Sequence, residues 1–281
     1  MDNSRHREAP KGLQWSGRTD RGRVRPNNED AFTGLQFDAR EVHHLGAMGE
    51  GPTGQMDFAF AVSDGMGGAK AGEHASEVAV QKLTSLLPRL YRRSAAQREA
   101  GFAPVLEDLF AEVHRALAYL GGSYEECHGM EATLSLCWFS GGRMHFGHIG
   151  DSRIYHLPAR TAEVTQLTHD DTHVGWLLRN GKINEREART HPRRNLLQKA
   201  LGGSNQFVTP QVGSVVYEPG DIFLLCTDGL VKGLYDHQLR ELLCPSAPDH
   251  LKGASPAHRL VEESLARDGR DNTTALAIRV L

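Results

Sequence analysis

FSGGRMHF, residues 139–146, decides the architecture of this chain. Two strand-like arms flank Gly141-Gly142, and paired glycines supply the positive φ that a tight hairpin needs. SRIYHLPARTAEVTQLT (152–168) reads as another hairpin directly after it. Hairpins that follow one another without helical crossovers build antiparallel sheets, with helices segregated onto them. Working outward, period-two or continuous apolar runs predict strands at 12–19, 30–37, 56–63, 132–139, 143–149, 153–157, 163–167, 211–217, 221–227 and 273–280. Helical periodicity fills GEHASEVAVQKLTSLLPRLY (72–91) and PVLEDLFAEVHRALAYLGG (104–122), the latter opening on Pro and closing on glycines. Further helices are expected at 171–180, 185–189, 195–201, 236–243 and 256–267. Stretches 38–55, 93–102 and 244–255 read as surface loops, with 38–55 taken as a solvated loop rather than a partner contact. The expected class is α+β, a sandwich.

Bulk composition narrows the function. The chain has 281 residues, 39% apolar and 24% charged, with a formal net charge of −3, so no basic field argues for nucleic acid. No apolar run reaches the roughly 18–20 residues that cross a bilayer. MDNSRHREAPKG has no apolar core of a secretory signal, so residues 1–11 are expected to be a flexible tail and the protein cytoplasmic. Cys127, Cys137, Cys226 and Cys244 form no C-x-x-C pair, and Cys137 and Cys226 read as small core residues.

The chemistry lies in acidic residues at the ends of apolar runs. FAFAVSDGMGG (58–68) stops on Asp64, IFLLCTDGL (222–230) on Asp228; Asp151 follows FGHIG, and Asp271 opens RDNTTALAIRV. With Glu29 and Asp30 these make six carboxylates at strand edges or tight turns. Such a cluster cannot ionise at close range without a cation. Oxygen donors without His or Cys favour Mg²⁺ or Mn²⁺. Gly65 brings a backbone carbonyl to the ion, and a bridging carboxylate such as Asp64 could hold two ions roughly 3.5–4 Å apart. Arg25, just before Glu29-Asp30, has the guanidinium that grips phosphate oxygens.

In DRGRVRPNNEDAF (20–32), VSDGMGGAKAGEHAS (62–76), HIGDSRIYHL (148–157), 167–203, PGDIFLLCTDGL (219–230) and GRDNTTALAI (269–278), the chain resembles the metal-dependent protein phosphatases of the PPM, or 2C, type in their bacterial form. The resemblance implies a four-layer α-β-β-α sandwich formed by one domain, 12–281, with a flap at about 168–203. It implies a Ser/Thr phosphatase in which a hydroxide held between two Mn²⁺ or Mg²⁺ ions attacks phosphorus directly, without a phosphoenzyme. Asp64 would bridge the ions with the Gly65 carbonyl on one, Asp228 and Asp271 would complete the other, and Glu29 and Asp30 would hold bound waters. Arg25 would bind substrate phosphate, and Asp151 with Asp228 would offer a weaker third-ion position. The implied partners are phosphoproteins, substrates of a Ser/Thr kinase, met by a monomer. Met66 stands where eukaryotic-type members carry His, Asp170-Asp171-Thr172 replaces Asp-His-Ser, and Glu131-Ala132-Thr133 replaces Gly-Thr-Thr.

Rival readings come from other chemistries. CWFSGGR (137–143) matches the C-x₅-R loop of cysteine-dependent phosphatases, but it also reads as strand, turn, strand. HDDTH places His169 and His173 at a spacing that would suit a metal on a helix. GMGGAKAG (65–72) fails the P-loop pattern. A catalytically weak regulatory or binding module is the remaining alternative, opposed by the presence of Asp64, Gly65, Asp228 and Asp271.

Overall fold

The computed structural model describes residues 10–67, 69–96, 101–203, 208–244 and 253–281. Residues 1–9 of the expected tail, 97–100 of one expected loop and 245–252 of another lie outside them. The strands form two antiparallel sheets. The first runs β10 (Thr165–Gln166), β9 (Arg153–Leu157), β13 (Ile222–Cys226), β14 (Thr273–Val280), β1 (Gly12–Asp20), β4 (Met48–Pro52). The second runs β11 (Leu201–Gly202), β6 (Glu131–Ala132), β5 (Asp57–Met66), β7 (Leu134–Ser140), β8 (Arg143–Ile149), β12 (Gln211–Val216), with β2 (Asp30–Phe37) paired to β5 and β3 (Val42–His44) to β2. The opening hairpin forms as read: Ser140 faces Arg143 across Gly141-Gly142, both at positive φ.

Alternation along the strands sets the layers, because successive side chains point to opposite faces. On β5, Phe58, Phe60 and Val62 turn toward the first sheet and pack with Trp15, Phe139, Phe223, Leu276 and Ile278. Ala59 and Ala61 turn the other way, onto α1 (Ala69–Ala96) and α2 (Ala103–Ser123), with Leu83, Leu87, Leu109 and Phe110. β14 repeats the logic. Leu276 and Ile278 face the sandwich interior, whereas Ala275 and Ala277 face α5 (Asp228–Gly233), α6 (Asp236–Leu243) and α7 (Pro256–Arg267). Small residues on the helix side let helices lie close; large ones fill the space between sheets. Each fully buried aromatic there, Phe60 and Phe223 among them, contributes about 1.5–3 kcal/mol by leaving water. The result is the expected α-β-β-α sandwich. Among the described residues no helix is long and apolar enough to cross a membrane.

Four expectations are corrected. Residues 93–96, expected to open a loop, continue α1 to its end at Ala96. Stretch 38–55 is not only a loop: it carries β3 and β4, and β4 pairs with β1 from Gly12↔Pro52 to Ser16↔Met48. Its glycines hid the strand, yet they are there for packing: a Cβ on Gly49 would meet the Trp15 ring at 2.6 Å. The helix expected at 195–201 does not form; Leu197 bridges to Thr172 and Leu201–Gly202 pairs with β6. Finally, α5 arises where the sequence reading placed none.

Candidate active site

Pairing register brings the acidic run-ends to one rim of the sandwich. Asp30 sits opposite Asp64 in the β2–β5 pair. Cys226, the last residue of β13, pairs with Arg153 on one side and Ala275 on the other, so Asp228, Asp151 and Asp271 lie beside each other just past those strand ends. A cleft of about 330 Å³ opens there, lined by Arg25, Glu29, Asp64, Gly65, Asp151, Asp228 and Asp271 among others. Asp30 lies beneath it, buried.

Glycines let the backbones approach. A Cβ on Gly65 would meet the Gly72 carbonyl oxygen at 1.8 Å, and one on Gly229 would meet that of Asn272 at 1.9 Å. α1 and α5 therefore press their first turns against the strand ends. Asn272 fastens the 21–29 loop: its Oδ1 accepts from the Glu29 N–H at 2.8 Å, and its Nδ2 donates to the carbonyls of Arg21 and Asn27. Thr133 holds Asp64, its hydroxyl accepting from the Asp64 N–H at 2.9 Å while sharing a hydrogen bond with Ser152. His148, buried below the Gly150-Asp151 turn, bonds the Ser135 hydroxyl and the Gly150 carbonyl.

The electrostatics are those of crowded anions. Burial first, then Asp30, Asp228 and Asp151, pushes the Asp64 carboxyl well above its usual range. Asp151 is raised by burial and by Asp228 and Asp170. Asp30 is pushed up to about 7 by burial, although Thr227 and Thr274 both donate hydroxyls to its Oδ2. Asp271 goes the other way: burial raises it, but Lys232 and Arg25 outweigh that and hold it low. Arg25 Nε lies 2.7 Å from Asp271 Oδ1. Lys232 Nζ stands between Asp228 Oδ2 at 2.5 Å and Asp271 Oδ2 at 2.6 Å. Among the described residues no three acidic, Cys or His side chains already converge on one point as a cage for an ion. Two buried oxygens, Asp30 Oδ1 and Asp228 Oδ1, have no hydrogen-bond partner. Unpaired carboxylate oxygens cost free energy unless a cation or water meets them, so this donor set fits a hard divalent cation.

Segment 168–203 flanks the cleft. Arg153 grips Asp170 through two hydrogen bonds of 2.9 and 2.7 Å. Asp171 exchanges hydrogen bonds with Gly150. Thr172 caps α3 (His173–Arg179), and α4 (Glu185–Thr190) is tied to the end of α5 by Arg189, which donates to the carbonyls of Val231 and Leu234. Asn195 and Leu197 reach the cleft wall. His169 precedes α3, so the helical spacing of the His169/His173 reading does not hold. Cys137 lies in β7 opposite Phe60 and Phe146, fully buried, and burial pushes its thiol well up. A thiol so placed is no nucleophile, and C-x₅-R is here a strand and a hairpin turn.

Residues 51–267 match the protein phosphatase 2C family. This chain belongs to that family. Its 2C relatives include the serine/threonine protein phosphatase PstP of Mycobacterium tuberculosis, 35% identical over 96% of this chain, and the serine/threonine phosphatase stp of Listeria innocua, 30% identical over 93%. The chain spans 45% of the length of the mycobacterial protein and 93% of the Listeria one. The crystal structure of the PstP catalytic domain in complex with two manganese ions is similar in fold, with a TM-score of 0.73, 32% identity, and coverage of 96% of this chain and 99% of that one.

Sequence reading named each acidic residue that lines the cleft. It missed the residues that hold them: Asn272, Thr133, Thr227, Thr274 and His148. Lys232 was missed as well. Its one sequence signal is its place four residues after Asp228, which means adjacency only if a helix begins at Asp228.

Proposed function

We propose that this chain is a divalent-metal-dependent phosphatase of phosphoserine and phosphothreonine in proteins. The observation that carries the reading is the convergence of Asp64, Asp151, Asp228 and Asp271 from both sheets on one cleft with Arg25 at its rim, in a chain of the 2C family. Asp64 would be shared by two Mn²⁺ or Mg²⁺ ions, with the Gly65 carbonyl on one of them; Asp228 and Asp271 would hold the other, and Asp151 with Asp228 would offer a weaker third position. Glu29 and Asp30 hold water, Asp30 through the Oδ1 that its threonine partners leave free. Ions bound there supply charge neutralisation and a water acidic enough to react near neutral pH.

The chain's own residues do the rest. Arg25 orients the phosphate, and its half-exposed guanidinium can swing from Asp271 to a dianion. Residues 12–281 act as one catalytic unit, with 168–203 as a flap that shapes substrate access. Met66 lines the cleft without a transferable proton, so it is not the acid that protonates the leaving alkoxide. A phosphoprotein of a Ser/Thr kinase, a cytoplasmic setting and a monomer complete the reading.

The test is phosphate release from a phosphothreonine peptide by the purified chain. Release is expected to require Mn²⁺ and to stop with EDTA. Release indifferent to EDTA would overturn the metal mechanism; Mn²⁺ binding without release from any phosphopeptide would favour the regulatory-module alternative. Arg25→Ala is expected to raise KM about tenfold or more with a smaller change in kcat, since a charge-assisted hydrogen bond to the phosphate is lost. An unchanged KM would take Arg25 out of phosphate binding.

A further inference from the structure

Lys232 occupies a telling position. Its stem rises from the last turn of α5 and its ammonium touches one oxygen of Asp228 and one of Asp271, at 2.5 and 2.6 Å. Those are two of the carboxylates assigned above to one ion. A divalent ion of this kind takes carboxylate oxygens at roughly 2.0–2.2 Å, so a point in contact with both oxygens is nearly the point where the ammonium stands. Two cations cannot share it. The lysine is largely buried and lines the same cleft as Asp64, Asp151, Asp228 and Asp271. Its flexible four-carbon stem allows the head to leave without moving the helix.

We propose that Lys232 is a built-in competitor for the metal position between Asp228 and Asp271. It neutralises the two carboxylates when no ion is bound and must withdraw for an ion to enter. The inference rests on the ligand assignment above. Two consequences follow. Metal affinity at that position is lower than the carboxylate set alone would give, because charge-assisted hydrogen bonds must break, each worth about tenfold in an equilibrium. The metal-depleted protein is also more stable than it would be with those anions uncompensated.

The test is calorimetric titration of Mn²⁺ into metal-depleted wild type, Lys232→Met, Lys232→Arg and Asp228→Asn, each checked for folding by circular dichroism. Lys232→Met is expected to bind one Mn²⁺ at least about tenfold more tightly than wild type. It should melt at a lower temperature without Mn²⁺ and gain more on adding it. Lys232→Arg, which keeps the cation, should stay near wild type. If Lys232→Met does not fold without metal, Lys232→Gln, which keeps a hydrogen-bond donor but no charge, carries the same expectation. A folded Lys232→Met or Lys232→Gln that binds Mn²⁺ no more tightly than wild type overturns the competitor role. Asp228→Asn separates the two levels: wild-type stoichiometry and affinity there would mean that the ligand assignment itself is wrong.

Discussion

Asp228→Asn is expected to lower kcat by roughly 10²–10³-fold or more, the scale seen when a group that stabilises transition-state charge is removed, while the fold survives. The substitution keeps the shape of the side chain. Asp228 opens α5, so losing its charge costs the helix only about 0.3–1 kcal/mol of dipole interaction. The cleft loses more. The Asp228 oxygens face Lys232 on one side and have no protein partner on the other; a neutral amide there removes a charged donor from the ion position and offers N–H groups to a lysine and to carboxylates. The check is kcat at saturating phosphopeptide over a wide Mn²⁺ range, with circular dichroism on the same sample. A wild-type rate would remove the carboxylate cluster from the reaction.

Gly65→Ala is expected to damage stability and activity together. The added methyl would sit 1.8 Å from the Gly72 carbonyl oxygen and 2.6 Å from its carbon, with the Glu29 carbonyl at 3.1 Å. These are backbone atoms, so no side chain can turn aside: either α1 lifts from β5 or the β5 end shifts. Overpacking of this kind costs about 1–3 kcal/mol, and a backbone clash lies at or above the upper end. For a chain of this size that is a fall of about 5–10 °C in Tm. Either movement displaces the Asp64 carboxylate and the Gly65 carbonyl, and a misplacement of about 1 Å can cost 10²-fold in rate. Gly122→Ala is the control. It lies near the end of α2 with open space around its Cβ position, and is expected to leave activity unchanged and stability equal or slightly higher. Equal Tm and activity for Gly65→Ala and wild type would refute the close approach of α1 to β5.

Much of the fold was legible because its determinants are local. Period-two alternation marked β2, β8, β9 and β14 to the residue, and the Gly-Gly hairpin placed β7 beside β8. α6 and α7 lie where the sequence placed helices, at 236–243 and 256–267. The acidic residues of the cleft were legible for a related reason: a carboxylate that ends an apolar run has no packing purpose, and six carboxylates at strand edges or tight turns ask for a shared one.

What the tertiary structure alone decided has a common cause: the partner comes from a distant segment. β4 is a glycine-rich strand that exists because β1 offers its open edge and Trp15 needs room above Gly49. Residues 195–201 have helical spacing but give their backbone bonds to Thr172, Asp171 and β6. α5 carries glycines at 229 and 233 against its helix propensity. They are needed because Asn272 and Ser264 press so close that a Cβ would meet the Asn272 carbonyl oxygen at 1.9 Å and the Ser264 hydroxyl at 2.5 Å. Once that helix forms, Lys232 is placed over Asp228 and beside Asp271, thirty-nine residues further along the chain. The sequence by itself determined which residues carry charge and which face of each strand is apolar. Only the pairing of strands distant in the chain decided which charges meet, because register is set by long-range hydrogen bonds that no local window contains.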